Sequence, residues 1–161
     1  MAKATEIDIE ARAKAGRENF LKGYNCAQSV IAAFADIYPS DDIDTLLRLS
    51  ASFGGGMGRL RMTCGAASGM FMLAGLENGS ATPGKMEART RNYALVQELA
   101  AKFKEENDSL ICAELLGMRT GKIDPPRPSE RTTEYYRERP CPRLVECACR
   151  IYAHHLANKD D

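Results

Sequence analysis

The sequence predicts an all-α fold: a compact helical bundle of about six to seven helices in a single domain over residues 1–161. Three observations carry that expectation. Apolar residues recur at helical spacing in several segments. Residues that start and stop helices bracket those segments. No segment shows the sustained apolar–polar alternation of a half-buried strand.

The first predicted helix covers 7–21, rich in Ala, Glu, Arg and Lys, with an imperfect apolar stripe through Ile7, Ala11, Ala15 and Leu21. Gly23 and Asn25 end it and lead into a second, 26–37, with Val30, Ala33, Phe34 and Ile37 at helical spacing. Pro39-Ser40-Asp41 breaks the pattern, and Ser40 or Asp41 is the expected cap of a third helix over 43–52. The chain then reads Phe53-Gly54-Gly55-Gly56-Met57-Gly58-Arg59. Four glycines in five residues form neither a stable helix nor a strand on propensity. The next helix covers 64–77 and closes at Asn78-Gly79. Pro83 is placed to open a long helix over 82–104. Asp108-Ser109 caps a short helix over 110–116, which Gly117 closes. Residues 120–139 are polar and hold Pro125, Pro126 and Pro128, so they read as loop with one helical turn near 130–136. Pro140-Cys141-Pro142 starts the last helix, 143–156. There is no internal repeat and no break in composition that would mark a domain boundary.

Composition narrows the function classes. The hydrophobic fraction is 44% and the charged fraction 27%, which is globular rather than disordered. A chain of this length buries roughly two-thirds of its unfolded surface, enough for a core without staples. Lys plus Arg and Asp plus Glu are both 22, so the net charge is zero and the basic excess of a nucleic-acid binder is missing. The first twenty residues carry acids and no apolar run, so no secretory signal is expected. The most apolar stretch, 64–76, is shorter than the ~20 residues that span a bilayer. The expectation is a cytoplasmic protein without direct membrane insertion, free to form a homo-oligomer.

Six cysteines in such a chain call for an explanation. In a reducing compartment they read as metal-binding, redox-active or buried, rather than as a disulfide framework. Cys-x-x-Cys, Cys-x-x-Cys-His and zinc-finger spacings are all absent; the one close pair is Cys147-Ala148-Cys149. Four of the six fall at helix starts. Cys26 follows the cap candidate Asn25, and Cys64 follows Thr63, another. Cys112 is at N3 if Ser109 is the cap, and Cys141 is itself the N-cap if Pro142 is N1. A helix start presents unpaired N–H groups and about half a positive charge, which favours a thiolate there. Four such starts converging would hold a metal or an iron–sulfur cluster, or would form two dithiol pairs. Free cysteine also serves as a small buried hydrophobe, and Cys147 and Cys149, inside the last helix, read as core or surface fillers.

The glycine run has two readings. Gly54, Gly55, Gly56 and Gly58 with Arg59 would form a backbone nest that binds an anionic cofactor, and such a nest beside the cysteines, with Arg59 or Arg61, would stabilise their negative charge. Equally, the glycines would let the backbone pass close to neighbouring helices. No Gly-Lys-Ser/Thr follows, so this is not a Walker A loop. Gly65 and Gly69 share a helix face and would admit a close partner beside Cys64. His154 and His155 sit near a helix C-terminus, where a charge–dipole or solvated role is expected.

The segments Asn25-Cys26-Ala27-Gln28, Phe53 to Gly58, Cys64-Gly65-Ala66-Ala67-Ser68-Gly69, Ile111 to Leu116, and Cys141-Pro142-Arg143-Leu144-Val145 together resemble the C_GCAxxG_C_C family of redox-active proteins over about 15–151. The family's four characteristic cysteines fall on Cys26, Cys64, Cys112 and Cys141; Cys147 and Cys149 lie outside its pattern. The resemblance implies a small helical bacterial or archaeal protein with a redox role and no defined substrate.

The functional expectation is an electron-transfer protein whose four cysteines act as redox thiols and as ligands of an iron–sulfur or other metal site. A metal-free thiol–disulfide protein is the alternative. A structural zinc site, or an accessory to a redox partner protein or membrane transporter system, is the third. No general acid or base for a substrate-converting enzyme stands out in the sequence.

Overall fold

The computed structural model describes residues 6–119 and 121–159. Thr120, where the polar segment was expected to begin, lies outside them, as do the two ends of the 1–161 span. The described residues form eight helices and no strand: α1 Ile9–Leu21, α2 Cys26–Ala32, α3 Ile43–Ser50, α4 Gly65–Asn78, α5 Met86–Asn107, α6 Cys112–Leu115, α7 Thr133–Glu138 and α8 Cys141–Ala157. The all-α expectation holds. The count exceeds it because the helical turn expected near 130–136 is a helix, capped where Thr132 accepts from the Tyr135 N–H at 3.1 Å.

Several boundaries move for local reasons. The second helix stops at Ala32, and a 3₁₀ turn, Ala35–Ile37, replaces its last part. The cap of α3 is Asp42, whose carboxylate accepts from Thr45 N–H at 3.0 Å, rather than Ser40 or Asp41. Pro83 does not open α5. Gly84 follows it with φ +78°, outside the helical region, so the helix waits until Met86. That helix then runs past Lys104 to Asn107, where Asp108 takes the left-handed conformation at its end.

α1 packs along α8, α2 packs on α4, and α4 also contacts α5 and α8. Phe20, Phe34, Leu73, Leu99, Phe103 and Tyr152 lie in the shared core. Glycine sets how close these helices come. A Cβ at Gly16 of α1 would lie 2.4 Å from the Cys149 sulfur on α8. On α4, a Cβ at Gly65 would lie 2.9 Å from Cys26 Cβ, and one at Gly69 would lie 2.8 Å from Val30 Cβ. The expected small-residue face is therefore real, α2 is the helix that uses it, and the close packing brings Cys26 against the residue after Cys64. Among the described residues, no helix is long and apolar enough to cross a membrane.

The far end of α4 is locked to α8 by a buried carboxylate. Glu77 accepts from Lys159 Nζ at 2.7 Å and lies 2.8 Å from His155 Nε2 and 3.2 Å from the Tyr152 hydroxyl. Tyr152 in turn shares a hydrogen bond with Tyr38. His155 thus has a specific partner, in place of the charge–dipole or solvated role expected of it. Burial pushes the Glu77 carboxyl up, but His155 and Lys159 outweigh burial and hold it at about 2. A carboxyl held below its ordinary value adds stability that is complete above that value and lost as pH falls through the folded one. Urea melts should therefore show a loss of about 2–3 kcal/mol between pH 4.5 and pH 2. Glu77→Gln should be less stable at neutral pH and should lack that part of the acid dependence.

Candidate functional site

The site is assembled by three local devices. The first is the glycine run. Gly55, Gly56, Met57, Gly58 and Arg59 all have positive φ, between 63° and 69°, and Gly58 N–H bonds the Gly54 carbonyl at 2.9 Å. This is one left-handed turn, which costs L-residues roughly 1–2 kcal/mol each, so three of its five positions are glycine. A Cβ at Gly56 would sit 2.6 Å from Cys112 Cβ and 2.8 Å from Arg61 Cα. The close-passage reading of the glycines is therefore observed, with Cys112 as the group they pass.

The second device is a short antiparallel pairing, a bridge between Thr63 and Ile111. Cys64 N–H bonds the Leu110 carbonyl at 2.7 Å, and Cys112 N–H bonds the Met62 carbonyl at 2.6 Å. These bonds fix Cys64 and Cys112 on neighbouring segments. The third is the Asn25 cap of α2. Its side chain accepts from Gln28 N–H at 3.0 Å, Gln28 reciprocates to the Asn25 N–H at 3.1 Å, and Asn25 Nδ2 donates to the Ala51 carbonyl at 2.9 Å. Cys26 is the first residue of that helix.

The four cysteines keep to helix starts, with three positions shifted. Cys64 is itself the N-cap of α4 instead of following a Thr63 cap. Cys112 is the first residue of α6, not N3, because the Ser109 hydroxyl accepts from Ile111 N–H at 2.9 Å and Ile111 takes the cap position. Cys141 is the first residue of α8, with Pro140 before it as cap and Pro142 after it.

Cys26, Cys64, Cys112 and Cys141 line one cavity of about 390 Å³. Gly54, Gly55, Gly56, Gly58 and Arg59 line it too. Arg61, Arg131 and Arg139 bring the arginines on the wall to four among the described residues, which place no carboxylate on the wall itself; Asp124 stands behind it, paired with Arg61 at 2.7 Å. Cys147 and Cys149 are elsewhere. The Cys147 thiol donates to Glu106 at 3.0 Å and accepts from Asn107 at 3.3 Å, and Cys149 is buried against Gly16. All six cysteines are free thiols.

The thiols differ sharply in their electrostatics. Cys26 and Cys141 share the cavity wall, and each thiol shifts the other. The Cys26 thiol, with the charges of Arg139 and Arg61 and the Tyr135 hydroxyl, overcomes burial and lowers Cys141 to about 7. Cys141, then burial and the other neighbouring thiols, raises Cys26 well above its ordinary value. Burial raises Cys64 to about 12, although the Ala67 and Ala66 N–H groups favour its thiolate. Burial also raises Cys112, partly offset by Arg61, whose Nη1 lies 3.6 Å from the sulfur. The expectation that all four helix starts lower their cysteines therefore fails at three of them. The first-turn N–H groups are outweighed by desolvation and by like charges in the same cavity.

Arg61 is 6% exposed. Its Nε donates to Asp124 at 2.7 Å, and its Nη2 is buried with no hydrogen-bond partner among the described residues. Asp124, Arg131, Tyr135 and Arg139 were not singled out in the sequence. They belong to the polar, proline-containing stretch, where neither spacing nor periodicity marks a residue as facing the cysteines.

A comparison with protein-family models matches residues 24–155 to a family described as "Putative redox-active protein (C_GCAxxG_C_C)". The chain belongs to the C_GCAxxG_C_C family. No curated protein and no solved structure matches it. The four cysteines expected to carry the family's pattern, Cys26, Cys64, Cys112 and Cys141, are the four that line the cavity. Among the described residues, no group of three or more His, Cys, Asp or Glu side chains is placed to hold a metal ion.

The alkylation rate of Cys141 by iodoacetamide, followed peptide by peptide, should rise with pH about a midpoint near 7. Cys26→Ala removes the neighbour that lowers Cys141 most and should move that midpoint upward. Cys64 and Cys149 should remain unlabelled in the folded protein at neutral pH.

Proposed function

We propose that the protein is a thiol–disulfide redox protein whose working couple is Cys141 and Cys26. Their shared place on the wall of one cavity carries this reading, together with their opposite electrostatics: Cys141 is held low and Cys26 high. Cys141 has the character of the attacking thiolate. An attacking thiol is most effective when its pKa lies near ambient pH, since a lower value trades away nucleophilicity. Cys26 has the character of the resolving thiol, held protonated until the mixed disulfide on Cys141 removes the neighbouring negative charge. The burial and mutual repulsion that raise Cys64 and Cys112 keep the cavity at one thiolate near neutral pH. Free thiols of this kind suit a reducing cytoplasm, and the exchange partner would be a disulfide-bearing molecule or protein.

A second reading has its own support. Cys26, Cys64, Cys112 and Cys141 line one cavity whose wall, among the described residues, carries four arginines and no acid. An iron–sulfur cluster held by Cys26, Cys64, Cys112 and Cys141 is anionic, would offset that charge, and supplies one-electron transfer when bound. It requires the sulfurs to close on a common centre.

Equilibration in redox buffers, read by thiol alkylation, separates the two. The dithiol reading expects one two-electron couple that is absent in Cys141→Ser and in Cys26→Ser and retained in Cys147→Ser. The cluster reading expects iron and acid-labile sulfide in protein purified without oxygen, both lost when any one of the four cysteines is replaced.

A further inference from the structure

We propose that the segment 124–131 is a gate of the cysteine cavity: it lifts off the glycine turn and opens the cavity to molecules larger than the closed form admits. The gate is independent of which chemistry the cysteines perform, since it governs what reaches them. Pro126, Pro128, Ser129 and Arg131 line the same cavity as the four cysteines, so this segment is one of its walls. The connection between α6 and α7 that contains it exceeds the ~12–15 residues beyond which a loop without secondary structure is uncommon in a compact domain, and such loops commonly serve as lids.

What holds this wall in place is polar. Arg59 Nε donates to the Pro125 carbonyl at 2.7 Å, and Arg59 Nη1 donates to the Ser129 hydroxyl at 3.3 Å. Arg61 Nε donates to Asp124 at 2.7 Å, and the Asp124 N–H donates to the Arg59 carbonyl at 3.3 Å. At its far end, Arg131 lies 4.0 Å from the centre of the Phe20 ring and donates to the Phe20 and Tyr24 carbonyls. No residue of 124–131 is fully buried, and none belongs to the shared core. A segment held by a few polar contacts, without apolar burial, opens at the low end of a protein's local stabilities.

The contacts also define how it opens. Asp124, Pro125 and Ser129 are held by the glycine turn, whereas Arg131 is held by the end of α1. The first set can release while the second stays. Pro125, Pro126 and Pro128 fix their own φ angles, which stiffens the piece between. At its near end Gly121 has φ +82° and nothing within 4 Å of where a Cβ would stand, so the backbone is free to turn there. Gly121 and Arg131 are therefore the two pivots. Closed, the cavity of about 390 Å³ takes a small molecule. Open, it loses the wall made by Pro126, Pro128 and Ser129, and an extended loop of a partner protein gains entry.

The test compares alkylation of Cys141 in the reduced protein by N-ethylmaleimide and by a maleimide carrying a long polyethylene glycol chain. Each rate is divided by that of the same reagent with glutathione. In the wild type the long reagent should be slower by about tenfold or more, because it waits for local opening. Asp124→Ala removes the Arg61 contact and should raise the long-to-small ratio by about tenfold, the order expected for one lost hydrogen bond to a charged group. Equal normalised rates in the wild type, or a ratio that Asp124→Ala leaves unchanged, overturns the gate. If Asp124→Ala fails to fold by circular dichroism, or Cys141 resists both reagents, hydrogen exchange of the wild type decides. The Asp124 amide should then exchange about a hundredfold or more faster than the Cys112 amide, which the Met62 carbonyl holds at 2.6 Å. Equal protection of the two amides overturns the gate.

Discussion

Gly56 and Gly65 place backbone where any other residue would place a side chain. A Cβ at Gly56 would meet Cys112, and one at Gly65 would meet Cys26, each within 3.0 Å. The rest of the site depends on these two approaches. The first requires a left-handed turn, so Met57, Arg59 and Arg61 are held at positive φ alongside the glycines. That strain is sustained by what the turn's arginines reach: the Pro125 carbonyl, Ser129 and Asp124. The polar segment is thus bound to the glycine turn, and it carries Tyr135 and Arg139 to the cysteines.

Two electrostatic effects compete in the cavity, and their balance distinguishes the thiols. Helix starts favour thiolates through unpaired N–H groups. Burial and neighbouring sulfurs oppose them. At Cys64, burial wins over the nearby Ala67 and Ala66 N–H groups. At Cys141 the neighbouring Cys26 thiol, two arginines and a tyrosine hydroxyl reverse the outcome. Position on a helix is therefore not enough to make a reactive cysteine; the neighbouring donors and cations decide which of the four it is.

The helices were largely legible in the sequence because caps and periodicity are local signals. Asn25 with Gln28, and Asn78 with Gly79, mark ends that the structure keeps. Boundaries failed where a local competitor was stronger, as with Gly84 after Pro83 and Asp42 after Asp41. The four-cysteine set was legible from helix starts and from the family motifs, and the fold brings that set to one cavity. The electrostatic ranking was not legible, because it depends on Arg61, Arg139 and Tyr135, and two of those lie in a segment whose composition says only loop. The Glu77–His155–Lys159 cluster was hidden for a similar reason. Its partners are about eighty residues apart, and no pattern in the sequence records a pairing across that separation.

The central claim is that one pair among six cysteines does the redox work. Peptide mapping under non-reducing conditions, after anaerobic reduction and exposure to one equivalent of diamide, tests it most directly. The account expects a single dominant disulfide joining Cys26 to Cys141, with Cys147 and Cys149 recovered as thiols. A dominant disulfide that excludes Cys141, or oxidation spread evenly over all six cysteines, would contradict it.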